Sequence, residues 1–247
     1  MSEPASFFVA DTHLEADQLD ICAAFCDFLR KLAPEAEALY ILGDFLEFYV
    51  GQDLPMTWAD PVWQALSDLS NAGTKVYVMP GNRDFLMDQS FCDRFKGHYL
   101  PDNTVIDLYG KRTLLTHGDR WCIEDRAHQR FRRITDLSLL RKGFARLPSS
   151  VRQKMAERLR LKSKQKHRKR QVKDFDLDWA SLLAFMQEID CDWVIHGHTH
   201  QAKKLSHMDG SRERKRMVVS DWGEEYTYLK VTASDEKLIT KHIASVS

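Results

Sequence analysis

Five short stretches gather side chains suited to divalent metals: Asp11-Thr12-His13, Gly43-Asp44, Gly81-Asn82-Arg83-Asp84, His117-Gly118-Asp119 and Gly197-His198-Thr199-His200. Carboxylate, imidazole and amide oxygen together suit borderline or hard ions such as Mn2+, Fe2+ or Zn2+, and the absence of thiolates here argues against a structural zinc site. A carboxylate bridging two ions about 3.5–4 Å apart can help poise a nucleophile from water for in-line attack on phosphorus. Asp44 is the candidate bridge. Singly, a DxH or GD dipeptide says little, and a lone buried histidine is more often a hydrogen-bonded core residue than a ligand. GNRD and GHTH are more specific, because glycine lets the backbone turn tightly while the next side chain points inward. His196, one residue before the last motif, is expected to be structural.

Every motif follows a run of β-branched and aromatic residues. SFFVA (6–10), ALYIL (38–42), KVYVM (75–79), TLLT (113–116) and DWVIH (192–196) each predict a buried strand. In open α/β sheets, ligands collect beyond the carboxyl ends of the strands, so five such ends can bring their side chains to one site. Between the first three strands lie helical patterns, with Leu19, Cys22, Ala23, Cys26 and Leu29 sharing one face and Val62, Ala65, Leu66 and Leu69 another. Strand and helix alternate there. MVV (217–219), YTYLKV (226–231) and KLITKH (237–242) have no helix between them and predict an antiparallel run closing a sheet. The expected fold class is α/β, an α+β sandwich: a double β-sheet core flanked by helices.

Residues 125–190 break the alternation. Their periodicity is helical throughout, and between Arg141 and Lys173 Glu157 is the only acid in a stretch dense in Lys and Arg. An inserted helical cap is expected over 125–190, dividing the core into 1–124 and 191–247. Leu139, Leu140, Phe144, Leu159 and Leu161 sit among its basic residues, an amphipathic pattern that fits either a membrane surface or a solvated helix with an apolar core face.

Composition bounds the remaining choices. With 247 residues and 43% hydrophobic content, one domain with an insertion fits better than two separate domains. Lys+Arg and Asp+Glu both number 36, so net charge singles out neither nucleic acid nor membrane as partner. Cys22, Cys26, Cys92, Cys122 and Cys191 are odd in number and lack paired spacing, which predicts reduced thiols in a cytoplasmic protein. No secretory leader and no membrane span is expected, since no apolar run nears the roughly 20 residues a span requires.

The five motifs in this order resemble the signature of the calcineurin-like metallophosphoesterases from Asp11 to His200. That resemblance implies a double β-sandwich and a dinuclear site, with Asp11, His13 and His200 joining Asp44 around one ion and Asn82, His117 and His198 joining it around the other. Many members carry histidine where this chain has Arg83. Arginine does not act as a general acid near neutral pH, but its planar fork matches phosphate oxygens. If the leaving group is itself a phosphate, no proton donor is needed, which favours P–O–P cleavage.

ALYILGDFLEFYVGQD, GNRDFLM, HGDRWCIED and the SDW at 220–222 further resemble the bacterial UDP-2,3-diacylglucosamine pyrophosphatase family, over nearly the whole chain. The resemblance implies hydrolysis of UDP-2,3-diacylglucosamine to UMP and 2,3-diacylglucosamine 1-phosphate (lipid X) in lipid A synthesis. It also implies two divalent ions, Mn2+ foremost, a helical cap holding the acyl chains, and a peripheral place on the anionic cytoplasmic face of the inner membrane. Catalysis would fall to Asp44, Asn82, Arg83 and His117. Asn82, Arg83 and His198 would touch the diphosphate, and Asp125, Ser163, His167 and Arg170 the rest of the substrate. His167 stands where the family often has Asn or Thr, and Arg170 where Lys is usual. Thr12 replaces the usual Leu, and Pro80 precedes GNRD where His is frequent.

Two other functions fit parts of the sequence. Another phosphoesterase, acting on nucleotide polyphosphates or phosphoproteins, would keep the core, but the cap argues against an open groove. A non-catalytic binder gripping nucleic acid through residues 141–173 would have no use for a complete ligand set and offers few aromatics for base stacking. No nucleic-acid partner is expected.

Overall fold

The computed structural model describes residues 3–32, 35–135, 137–158 and 176–243. Its strands are β1 (Ala5–Val9), β2 (Ala36–Leu42), β3 (Lys75–Met79), β4 (His98–Tyr99), β5 (Thr104–Leu108), β6 (Lys111–Leu115), β7 (Trp193–His196), β8 (Lys203–Asp209), β9 (Arg212–Val218), β10 (Glu225–Val231) and β11 (Glu236–His242). They form two sheets, one ordered β11-β10-β1-β2-β3-β4 and the other β5-β6-β7-β9-β8. Within them β1, β2 and β3 run parallel, as do β6, β7 and β9.

The sheets pack face to face. Phe8, Leu42, Met79, Leu115, Ile195, Met217 and Leu229 fill the space between them. Alternate residues point the other way: Phe7, Val9, Leu39, Ile41, Val76 and Val78 meet helices α1 (Leu19–Leu32) and α2 (Asp60–Asn71). A strand buried on both faces shows no polar alternation, which is why β1 is buried at every position and apolar at all but Ser6. The expected face of α2 is buried as a set. That of α1 is rotated: Ile21, Cys22, Phe25, Cys26, Phe28, Leu29 and Leu32 are buried, while Leu19 and Ala23 face solvent. The reason is volume, since the added positions Ile21, Phe25, Phe28 and Leu32 carry large side chains whose full burial contributes about 1.5–3 kcal/mol each.

The C-terminal strands also depart from expectation. β10 and β11 are antiparallel beside β1, but β9, which ends within the MVV run, pairs parallel with β7 and antiparallel with β8 in the other sheet. The chain crosses between sheets over 219–224, where Trp222 packs against Phe25 and Phe28 of α1.

Helices α3 (Gln89–Cys92), α4 (Arg126–Thr135) and α5 (Ser138–Ala145) follow, then a helical stretch over 149–158 (α6) and α7 (Trp179–Glu188). Asp178 caps α7 by accepting from Ser181 N at 3.2 Å. Leu182 and Met186 of α7 lie in a cluster with Leu114 of β6 and Val194 of β7, on the outer face of the second sheet. Within the 125–190 stretch, α7 thus covers the sheet, whereas α4, α5 and α6 surround a separate cavity. Ser163, His167 and Arg170 lie outside the described residues.

Candidate metal centre

The donors occupy the loops that leave β1, β2, β3, β6 and β7, and backbone bonds tie those loops to one another. Asp11 N donates to Gly43 O at 3.1 Å, His13 N to Asp44 O at 3.0 Å and Gly197 N to His117 O at 3.2 Å. Side chains extend the lattice: Asp11 Oδ2 accepts from His198 N at 2.7 Å, and Asp44 Oδ1 from Arg83 N at 2.8 Å. Two glycines are required for this closeness. A Cβ on Gly81 would fall 2.2 Å from Asp44 Oδ1, and one on Gly197 would fall 2.3 Å from Asp11 Oδ2.

Strain marks the same place. Asp11 (φ 51°), His13 (46°), Asp44 (48°), His198 (67°) and His200 (53°) all adopt left-handed backbone. That region disfavours residues with a Cβ, and such conformations persist where surrounding structure over-determines them, typically at functional sites.

All seven sequence-derived donors converge. His200 Nε2 and His13 Nε2 lie 3.4 and 3.9 Å from Asp11 Oδ1. Asp44 faces both halves of the cluster, with Oδ2 at 4.0 Å from His13 Nε2 and Oδ1 at 3.6 Å from His117 Nε2. Asn82 Oδ1 lies 3.1 Å from His117 Nε2, and the His198 ring stands 5.0 Å from that of His117. Asp11, His13 and His200 form one group able to hold an ion, and Asp11, Asp44 and His117 a second.

The protein's own chemistry fits divalent cations at these two positions. Asp11 Oδ1 is buried without a well-formed hydrogen bond, a costly arrangement unless something positive sits against it. Two imidazoles also present Nε2 inward while Nδ1 is engaged behind, His200 with Asp221 Oδ2 at 3.2 Å and His117 with Leu42 O at 3.0 Å, and His13 Nδ1 lies 3.1 Å from Glu47 Oε2 without hydrogen-bond geometry. A partner on the far nitrogen fixes tautomer and ring orientation in metal-binding histidines.

Electrostatics agree with this geometry. Burial alone would depress the His117 pKa, but Asp44, Asp11 and Asp119 overcome it and hold it up at about 9. Burial likewise opposes protonation of His200, yet Asp11 wins and raises it to about 11. Burial would raise Asp11, but His200 keeps its carboxyl well below the usual range. The acids thus draw positive charge onto the positions a cation would occupy. His198 is held well below its ordinary value by burial and then by His117, which leaves the neutral, metal-binding form.

His196 is fully buried and takes no part in the donor set. Its Nδ1 donates to Gly197 O at 2.7 Å and its Nε2 accepts from Arg216 Nε at 2.9 Å, so no lone pair remains for a metal. Asp125 sits at the start of α4 and accepts from His128 N at 3.1 Å, a helix-capping contact.

Sequence reasoning did not single out the partners behind the donors. Glu47 and Asp221 lie inside the quoted LGDFLEFYV and SDW segments, but nothing local says which imidazole each meets. Asp84, the last residue of GNRD, has a role no local pattern announces: its carboxylate accepts from Gly81 N, Phe45 N and Leu46 N, pinning the β2 loop to the β3 loop. Burial, and then Asp44, push its pKa up to about 6.

Beside the donors lies a cavity of about 170 Å³, lined by Phe48, Tyr49, Phe85, Phe131, Phe144 and Met155, with Asn82 and Arg83 at one side. Arg83 Nη1 donates to Glu47 Oε1 at 2.7 Å, and its guanidinium stands over the Phe48 ring at 5.6 Å. One loop therefore supplies both the polar cluster and the edge of an apolar chamber.

The calcineurin-like phosphoesterase family matches residues 7–202. The UDP-2,3-diacylglucosamine hydrolase of Haemophilus influenzae (strain PittGG) is 39% identical over 232 residues, covering 94% of this chain and 96% of that protein. Its counterpart in Pseudomonas paraeruginosa (strain DSM 24068 / PA7) is 39% identical over 231 residues, 93% and 96% of the two chains. That of Escherichia coli O7:K1 is 35% identical over 235 residues, 95% and 98%. An archaeal phosphodiesterase of known structure shares the fold, with TM-score 0.50 and 13% identity over 96% of this chain and 99% of that one. The chain is a hydrolase that belongs to the calcineurin-like phosphoesterases and, within them, to the family of the UDP-2,3-diacylglucosamine hydrolases.

Proposed function

We propose that this chain cleaves the pyrophosphate bond of UDP-2,3-diacylglucosamine, releasing UMP and 2,3-diacylglucosamine 1-phosphate. The observation that carries the reading is that Asn82 and Arg83 border both the metal-capable cluster and the apolar cavity. A substrate with a diphosphate at one end and acyl chains at the other matches that pairing. A nucleotide polyphosphate would leave the chamber without an occupant.

Asp11, His13, Asp44 and His200 would hold one divalent ion, and Asp44, Asn82, His117 and His198 the other, with Mn2+ the favoured metal. The ions supply Lewis acidity toward phosphoryl oxygens and a nucleophile from water at neutral pH. Asp44 directs its two oxygens to opposite halves of the cluster, which suits a bridging carboxylate. Arg83 places a permanent cation beside Asp44, with its Nε 3.9 Å from Oδ2, where it stabilises charge growing on phosphate oxygens. Since arginine gives up no proton near neutral pH, the departing group leaves as a phosphate without protonation. Asp125, Ser163, His167 and Arg170 are the further substrate contacts proposed.

Contact with an anionic membrane surface, on the cytoplasmic face of the inner membrane, is part of this reading. Of nine exposed large apolar residues among those described, five lie between 134 and 155: Ile134, Leu137, Leu147, Val151 and Met155. Exposed Arg146, Lys154 and Arg158 accompany them. Among the described residues, no helix is long and apolar enough to cross a membrane. The deciding experiment follows UMP release from UDP-2,3-diacylglucosamine with and without Mn2+, alongside a dinucleoside polyphosphate and a phosphopeptide. Metal-dependent release confined to the first substrate is expected, and a faster rate on either of the others would overturn the assignment.

A further inference from the structure

Helix α4 touches the core through a polar face that the proposed reaction does not use. His128, Gln129 and Arg132 all reach Asp119, two residues beyond His117. His128 Nε2 lies 3.0 Å from Asp119 Oδ2, Gln129 Nε2 donates to Asp119 O at 2.8 Å, and Arg132 Nη1 donates to Asp119 Oδ1. The other arm of Arg132 goes elsewhere: Nη2 donates to Asp102 Oδ2 at 2.9 Å. Asp102 uses its second oxygen to accept from Thr116 Oγ1 at 2.7 Å and from His117 N at 3.0 Å.

The guanidinium therefore spans two carboxylates that grip the 116–119 loop from both ends, with His117 between them. The β7 side and the β2 loop hold the same loop through Thr116 N to Ile195 O at 3.2 Å, Gly197 N to His117 O at 3.2 Å and His117 Nδ1 to Leu42 O at 3.0 Å. Thr116 Oγ1 also accepts from Gly118 N at 3.2 Å, and Gly118 has φ 105°, so on the side facing α4 the turn is set by the Asp102 and Asp119 contacts. The network is sheltered, with the Arg132, Asp102 and Asp119 side chains 16%, 18% and 4% exposed. Sheltered charge-assisted hydrogen bonds, here one from each arm of the guanidinium to a different carboxylate, fix geometry more firmly than an exposed pair.

On the adjoining face of the same helix, Phe131, Ile134 and Thr135 line the apolar cavity, and Phe131 packs edge-on against Phe85 of the β3 loop at 6.0 Å. We propose that Arg132 is a positioning residue: by bridging Asp102 and Asp119 it makes the cap helix that walls the cavity also set the His117 imidazole. The inference rests on reading His117 as a metal ligand. It adds that the ligand is correctly placed only while α4 is docked.

Arg152 supplies the control, because it is equally a cap arginine in a sheltered contact but fastens a different loop. It is 3% exposed and donates to Val50 O and Asp53, away from 116–119. The test titrates Mn2+ into metal-free wild type, R132Q, R132K and R152Q, and measures kcat and KM for UMP release. For R132Q, binding of one of two Mn2+ ions weakens by about tenfold or more and kcat falls similarly with KM nearly unchanged, as for other partners of metal ligands. R132K keeps the charge but cannot span both carboxylates, so it falls between R132Q and wild type. R152Q shifts KM and leaves Mn2+ affinity alone. Wild-type Mn2+ affinity and kcat in both Arg132 variants would overturn the inference, as would equal loss of Mn2+ affinity in R152Q. Should wild type bind Mn2+ yet release no UMP, the substrate assignment fails while the titration still tests Arg132.

Discussion

Replacing Gly81 with alanine tests whether the β2 and β3 loops must meet as closely as they do. The added Cβ would lie 2.2 Å from Asp44 Oδ1 and 2.3 Å from Asp44 N. The second of these is backbone, so a side-chain rotation cannot relieve it. Since contacts below 3.0 Å are essentially never seen, one loop must retreat by about 0.8 Å. Misplacement of about 1 Å in a reacting centre costs roughly 100-fold in rate, equivalent to about 2.7 kcal/mol of barrier. Stability should fall by about 1–3 kcal/mol, the usual range for overpacking. Gly81 has no positive φ, so the effect comes from the contact alone. Gly143→Ala is the comparison, because no atom lies within 4 Å of its Cβ and an exposed helical position gains from the change. The assay is kcat for UMP release at saturating Mn2+, with Mn2+ stoichiometry and thermal midpoint measured on the same samples. A G81A enzyme that kept kcat within threefold and bound both ions normally would refute the argument from closeness.

Three further outcomes are expected. Arg83→Gln should lower the chemical step by roughly 3 kcal/mol with both ions still bound, the cost of losing one donor to developing charge; single-turnover rates would measure it, and an unchanged rate would remove Arg83 from the reaction. Asp221→Asn should weaken Mn2+ binding by about 10- to 100-fold, because Asp221 orients His200 through Nδ1 at 3.2 Å; calorimetric titration with wild-type affinity would show that the contact is idle. Liposomes containing anionic lipid should retain more protein than neutral ones, each basic residue near the surface contributing about 1 kcal/mol; equal partitioning would count against membrane contact.

The donors were legible because each sits in a short motif directly after a strong strand, and strand ends in such a sheet share one edge. Asp11, His13, Asp44, Asn82, His117, His198 and His200 needed no partner to be recognised as capable of ligation. Glu47, Asp221, Asp102 and Arg132 did: a carboxylate or guanidinium acquires its role only from the imidazole or loop it meets, and those meetings span up to 36 residues for Arg83 with Glu47 and 30 for Arg132 with Asp102.

The fold divides in the same way. Runs of β-branched and aromatic residues marked eight of the eleven strands among the described residues, leaving out β4, β5 and β8, and the double-sheet α/β class followed from their alternation with helices. Sheet membership did not: β9 lies beside β7 rather than β10, because hydrogen-bond pairing is a choice among distant strands of similar apolar character. β8, with Leu205 and Met208 exposed on an edge strand, carries almost no burial pattern to read. Sequence thus specified the chemistry available at each strand end. Tertiary packing decided which carboxylate stands behind an imidazole, because that depends on how two sheets and the helices around them close on one another.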